Sequence, residues 1–236
     1  LTKSVLFSKN DYVSYYKTIK EPEPELGSDV TDLGLDSQIS KYLHQKNIEK
    51  FYKFQEDAIK EIVYGHNVVI SAPTASGKTE AFMVPIIQKI KPEREDAGKI
   101  LALFVYPTKS LARDQFPKIL ELAEMVGINV QVFDGDTKQS ERAKILDKPP
   151  QIIITNFDVL HYHLLNRTRF ASLLDSVKFV VVDEVHVYSG IFGSNVHYII
   201  KRLKRLCKKI QFIASSATLK NAKEFCGQLF DEKMIL

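Results

Sequence analysis

Val68-Val69-Ile70-Ser71-Ala72-Pro73-Thr74-Ala75-Ser76-Gly77-Lys78-Thr79 is the stretch on which the reading of the fold turns. An apolar run enters a loop of small residues and leaves it through Gly-Lys-Thr into a segment of helical period, 78–90. Strand, loop, helix is the order of a phosphate loop. Backbone N–H groups of the turn and of the helix N-terminus form an anion cradle. The candidate cradle residues are Thr74, Ala75, Ser76, Gly77, Lys78 and Thr79, with Lys78 aimed at the β- and γ-phosphates and the Thr79 hydroxyl at Mg²⁺. Ala72 stands in the slot where the general pattern has its first glycine. Ala75 carries a Cβ where many such loops have glycine, so a positive φ there is strained.

Outward from this loop the chain alternates. Short runs rich in valine and isoleucine recur at 67–72, 100–106, 130–133, 151–154, 179–182 and 211–214. Runs of that length suit strands buried on both faces of a parallel sheet. Helix-period segments separate them at 78–90, 110–125, 139–146, 158–166, 194–206 and 222–229. The expected fold is therefore α/β, a doubly wound and mostly parallel sheet. Ligands of such sheets bind at the C-terminal strand ends.

One of those ends reads Phe179-Val180-Val181-Val182-Asp183-Glu184-Val185-His186. Asp183 is the candidate Mg²⁺ ligand. Glu184, one residue on and turned away by the two-residue period, is the candidate that orients and deprotonates an attacking water. His186 either senses the nucleotide and contacts Ser216-Ala217-Thr218, or is a satisfied loop histidine.

Composition fixes the class. With 44% hydrophobic and 26% charged residues the chain can bury a core, which excludes wholesale disorder. The net charge of +4 permits a polyanionic partner without requiring one. Cys207 and Cys226 lie in no metal-ligand pattern and read as reduced thiols. No apolar run approaches the length of about 18 residues that a membrane span needs, and residues 1–10 lack a signal-peptide pattern, so an intracellular setting is expected. Residues 20–29, with prolines at 22 and 24 among glutamates, read as an extended, solvated arm. The segment before it, with Val5, Leu6, Phe7, Tyr12, Val13, Tyr15 and Tyr16, either packs on a core or supplies a strand. From Asp36 a short amphipathic helix follows, capped by Asp36 or Ser37. The expected division is an arm at 1–35 and a nucleotide-binding domain at 36–236.

The Ala72–Thr79 loop and Asp183-Glu184-Val185-His186 together resemble the DExH-box superfamily-two helicases. Other segments agree in order: Tyr106-Pro107-Thr108-Lys109-Ser110-Leu111-Ala112-Arg113-Asp114-Gln115, then Gly135-Asp136-Thr137, Thr155-Asn156 and Ser216-Ala217-Thr218. Phe51-Tyr52-Lys53-Phe54-Gln55 is similar to the adenine-reading motif, with Gln55 on the base edge and Phe51 or Tyr52 as the stacking ring. Tyr188-Ser189-Gly190-Ile191-Phe192-Gly193-Ser194 is similar to the MrfA/YprA and Hrq-type DNA helicases. The resemblance implies the first of two RecA-like lobes, with ATP and Mg²⁺ as cofactors. It implies a single-stranded or duplex nucleic-acid partner, DNA favoured. The strand residues it implies are Thr108, Lys109, Arg113, Gly135, Asp136, Thr155 and Asn156, and the coupling residues are His186, Ser216 and Thr218. A second RecA-like lobe is expected elsewhere in the same protein, since no later motif follows Thr218.

Contacts of that type hold phosphate and sugar without reading sequence. Thr108 and Thr155 would equally serve as helix N-caps. Lys201, Arg202, Lys204, Arg205, Lys208 and Lys209 read foremost as a solvated helix face. Phe157, Tyr162 and Phe170 read as packing rather than base-stacking rings. Competing functions are an RNA helicase lobe and a nucleotide- and strand-binding module with negligible turnover by itself. An unrelated phosphate-loop kinase leaves the Thr108–Gln115 and Ser216–Thr218 motifs without a purpose, and the Leu-Ser-Gly-Gly-Gln segment of transporter ATPases is absent.

Overall fold

A computed structural model describes residues 25–93, 98–217 and 219–236. Two short strands, β1 (Leu26–Asp29) and β2 (Lys50–Tyr52), pair antiparallel and flank helix α1 (Ser37–Gln45). Asp36 caps α1, its Oδ1 accepting from Gln38 N at 2.9 Å. Helix α2 (Lys53–Tyr64) leads into β3 (Asn67–Ser71), and the loop after β3 opens α3 (Lys78–Ile90). Then come β4 (Ala102–Val105), α4 (Lys109–Met125), β5 (Val130–Val132), α5 (Gln139–Asp147), β6 (Ile152–Thr155), α6 (Phe157–Leu165) and the single turn α7 (Arg169–Ser172). The chain closes with β7 (Phe179–Val182), α8 (Gly190–Leu206), β8 (Gln211–Ser216), α9 (Ala222–Phe230) and β9 (Met234–Ile235).

The main sheet runs β5-β6-β4-β7-β8-β3-β9, and every pairing in it is parallel. Burial on both faces explains why its strands read as near-continuous valine and isoleucine. Alternate residues face opposite layers. Ile70, Phe104, Val181 and Ile213 pack with α1 to α4; Val69, Val105, Val180 and Ala214 pack with α6, α8 and α9. The Phe82 ring of α3 meets Phe104 of β4 edge-on at 5.8 Å, which seats the helix that carries the phosphate loop. Truncating such a ring to alanine costs about 3–5 kcal/mol.

Three expectations change. The solvated arm over 20–29 ends earlier than expected. Leu26–Asp29 is a strand on β2, and Val30 is fully buried in the core, so the folded body begins before residue 36. Residues 1–24, including the aromatic segment at 5–16, lie outside the described residues. The helix expected from 194 starts at Gly190. A Cβ at Gly193 would come within 2.2 Å of the Tyr188 carbonyl oxygen, so a glycine in the first turn of this helix permits a close backbone approach. Finally, β7 ends at Val182, and Glu184 takes a left-handed φ of 48°. A backbone turn, not strand alternation, separates the directions of the two acids.

Candidate nucleotide and strand site

β8 lies between β3 and β7, with Ser71 opposite Ser216 and Val182 opposite Ala214. The phosphate loop and the acid pair therefore leave the same sheet edge two strand spacings apart, about 10 Å. This edge is the C-terminal one, where a doubly wound sheet binds its ligands.

The loop has the predicted strain. Ala75 has a φ of 59°, a conformation that costs a residue with a Cβ roughly 1–2 kcal/mol. Gly77 has a φ of 85°, and a Cβ there would lie 2.4 Å from Gln55 Nε2. Strain held in this way marks a loop over-determined by its surroundings. Ser76 Oγ donates to Pro73 O at 2.7 Å and tightens the turn. Lys78 is only 8% exposed, and its Nζ donates to Ala72 O at 2.9 Å and Pro73 O at 2.8 Å. No described carboxylate pairs with it. A buried ammonium satisfied only by carbonyls beside a helix N-terminus is a seat for an anion, so these residues fit a nucleotide triphosphate.

Gln55 is buried and braces this loop. Its Oε1 accepts from Tyr52 N at 2.8 Å and its Nε2 donates to Gly77 O at 2.8 Å. Of the two rings proposed to stack, Phe51 is fully buried in the core and is unavailable; Tyr52 stays partly exposed, stacked on Phe54 at 6.2 Å.

Asp183 Oδ1 accepts from the Ser215 hydroxyl and from Glu184 N at 3.0 Å. Thr79 Oγ1 donates to Gln115 Oε1 at 2.9 Å. Among the described residues no cluster of three or more His, Cys, Asp and Glu could hold a metal by itself. A hydroxyl and a carboxylate at one sheet edge are oxygen donors of the type that fits Mg²⁺, which keeps water and takes substrate oxygens. His186 Nδ1 lies 3.3 Å from Ser216 Oγ and 3.2 Å from Glu184 Oε2. The second contact has ion-pair distance but not hydrogen-bond geometry, and Glu184 Oε2 is buried without a hydrogen-bond partner. Thr218 lies outside the described residues.

An open cleft of about 620 Å³ gathers Thr74, Thr108, Asp114, Glu184, His186 and Ala217. Four separate sequence motifs thus line one hollow. A larger hollow, about 780 Å³, opens at the other end of the strands and is lined by Gly65, Lys178 and Lys208, none of them in a motif.

The strand candidates divide. Thr108 caps α4, its Oγ1 accepting from Leu111 N at 3.2 Å, and Asn156 caps α6 through Val159 N at 3.0 Å. Both remain at the surface edge. Thr155 is corrected: it is 1% exposed, and its hydroxyl donates inward to Phe133 O at 2.7 Å. Asp136 is committed to Lys109 at 2.5 Å and Arg113 at 2.9 Å. Gly135 lies beside the Lys109 ammonium. In the basic run, Lys204 holds α8 to the end of α9 through Phe230 O, Asp231 O and Glu232. Phe157 and Phe170 are core rings, whereas Tyr162 is exposed.

Sequence reading missed Ser215, Tyr106 and the bracing role of Gln115. Tyr106 follows β4 where Asp183 follows β7, and it is fully buried. Burial foremost, then the nearby Asp183 charge, pushes its phenol pKa well up, and its hydroxyl has no partner among the described residues. A tyrosine ending an apolar strand carries no distinguishing signal in sequence.

A family model described as DEAD/DEAH box helicase matches residues 52–225. The uncharacterized ATP-dependent helicase YprA of Bacillus subtilis is 38% identical over 209 residues, covering 86% of this chain and 27% of the relative. The ATP-dependent helicase hrq1 of Schizosaccharomyces pombe is 35% identical over 195 residues, 78% of this chain and 18% of the relative. The crystal structure of the DUF1998 helicase MrfA bound to DNA and AMPPNP superposes with a TM-score of 0.84 at 35% identity, covering 97% of this chain and 32% of that one. The chain spans less than a third of the length of each. The order of motifs, the parallel sheet and the family match agree: the chain belongs to the DEAD/DEAH box helicases.

Proposed function

We propose that this chain is the first RecA-like lobe of an ATP-driven nucleic-acid helicase or translocase, with DNA the favoured strand. The observation that carries the reading is the shared cleft, lined together by Thr74 of the phosphate loop, the segment after β4, Glu184 and His186, and Ala217 just beyond β8. The likeness to a helicase solved with DNA and AMPPNP supports it.

In this reading Lys78 exchanges loop carbonyls for phosphate oxygens, and Thr79 and Asp183 hold Mg²⁺. Bound ATP–Mg²⁺ supplies a phosphoryl group whose charge is partly neutralised for in-line attack. Glu184 orients the attacking water and takes its proton at a carboxylate oxygen. His186, in reach of Glu184 and Ser216, passes the state of the acid to β8 and on to Thr218. Gln55 sets the loop and leaves one amide N–H for an adenine edge. Thr108, Lys109, Arg113, Gly135 and Asn156 grip phosphate and sugar. A second lobe in cis closes over the nucleotide.

A second reading is favoured by the cleft lining, which contains no arginine among the described residues. The 236-residue chain then binds nucleotide and strand but turns over little by itself, because the transition-state charge is incompletely neutralised. Strand-stimulated ATP hydrolysis separates the two: robust turnover by this chain alone overturns the second reading. Competition between matched DNA and RNA oligonucleotides tests the favoured strand, and a preference for RNA overturns it.

A further inference from the structure

An acid on a surface that grips phosphate needs a reason. Lys109 opens α4 and Arg113 lies four residues on, so both cations share one helix face. Asp136 spans them from the loop after β5, Oδ1 on Lys109 and Oδ2 on Arg113. Among the described residues no other carboxylate pairs with either cation.

The loop is built to deliver this carboxylate. Asp134 is buried, and its Oδ1 accepts from Asp136 N at 2.8 Å and Thr137 N at 3.0 Å. Arg142 ties the same turn from outside, donating to Asp134 O at 2.7 Å and Thr137 O at 2.8 Å. The aim of Asp136 is fixed by backbone and buried groups, while the three charged side chains themselves stay 41%, 62% and 50% exposed.

We infer that Asp136 is a built-in phosphate mimic, filling the seat between Lys109 and Arg113 that a strand phosphate takes, so that strand binding exchanges one anion for another. The inference rests on the strand-binding reading given above. Two oxygens bridging a lysine and an arginine reproduce what a phosphate offers the same pair. The Lys109 ammonium foremost holds the Asp136 carboxyl below the usual carboxylate range, so it carries its charge at neutral pH. An exposed pair contributes little to stability, so the exchange is easily made and easily reversed. A motor that must release its strand each cycle gains a grip that lets go.

The test is fluorescence anisotropy of a labelled single-stranded DNA with the full chain, across a salt series. Asp136→Asn and Asp136→Ala should each tighten binding by about threefold to tenfold at low salt, the effect of removing one like charge near a phosphate. Their salt dependence should steepen, by about 0.7 in log–log slope for each phosphate newly neutralised. Asp136→Glu, which keeps the charge, should leave both readouts near those of the unsubstituted chain. The double substitution Lys109→Ala with Arg113→Ala should weaken binding. If Asp136→Asn binds equally or more weakly while the double substitution weakens binding, the mimic is overturned and the strand site stands. If the double substitution changes nothing, the strand site itself is overturned.

Discussion

The Ser215 hydroxyl on β8 donates to Oδ1 of Asp183, the residue just past the neighbouring strand β7. Because β8 also pairs with β3, one strand ties the acid and the phosphate loop to a common frame. Ser215→Ala leaves that oxygen with Glu184 N as its only hydrogen-bond donor among the described residues. We expect a stability loss of about 1–2 kcal/mol, from a buried acceptor deprived of one donor. Affinity for nucleotide with Mg²⁺ should fall about tenfold more than affinity without it, as when a ligand's own support is removed. Calorimetry with and without Mg²⁺ reads this directly; equal losses in both arms contradict it.

Gln55 holds the loop from the other side. Gln55→Ala removes both the acceptor for Tyr52 N and the donor to Gly77 O. Nucleotide affinity should fall about fivefold or more, the equivalent of one hydrogen bond of about 1 kcal/mol. Gln55→Glu keeps the acceptor and loses the donor, so it should restore the α2 start but not the affinity. Melting temperature and nucleotide titration separate these two effects.

Elements with one uninterrupted pattern were legible. α3 matches its expected span, and β7 reads as four apolar residues with no competing pattern. Elements without such a pattern were not. β1, as long as β7, is the mostly polar Leu-Gly-Ser-Asp beside a proline-rich run, and β9 is only two residues. The site was legible where chemistry needs particular residue types at fixed spacing, as in Gly77-Lys78-Thr79 and Asp183-Glu184. It was illegible where support comes from distant strands. Nothing in the sequence says that Ser215 meets Asp183, or that Asp136 neutralises the cations it was grouped with.

Glu56 anchors the β1–β2 corner. Its carboxylate accepts from Ser28 N at 2.6 Å and pairs with Lys60. Lys60 foremost, then the Ser28 N–H, pull its pKa from 4.5 to about 2. A depressed folded-state value means that the unfolded chain binds the proton first, so this stabilisation is whole above about pH 4.5 and is lost as pH falls towards 2. Glu56→Gln should cost about 1–2 kcal/mol at neutral pH, and the difference should shrink over that acid window. Urea unfolding of both proteins at a series of pH values checks it; a gap that widens on acidification has the wrong sign.

Burial pushes the thiols of Cys207 and Cys226 up to about 12, and Cys207 Sγ donates to Leu174 O. A buried thiol so rarely ionised is a poor nucleophile. Both should resist iodoacetamide near pH 8 in the folded protein and react in urea. Mass spectrometry counts the adducts, and rapid labelling of the native chain contradicts this burial.

The cradle at Lys78 faces its most direct test in calorimetry of the full chain with ATP and Mg²⁺. The unsubstituted chain and Glu184→Gln should both release heat of binding, and Lys78→Ala should release none. Undiminished binding by Lys78→Ala, or silence from the unsubstituted chain, would contradict the assignment of this edge of the sheet to nucleotide.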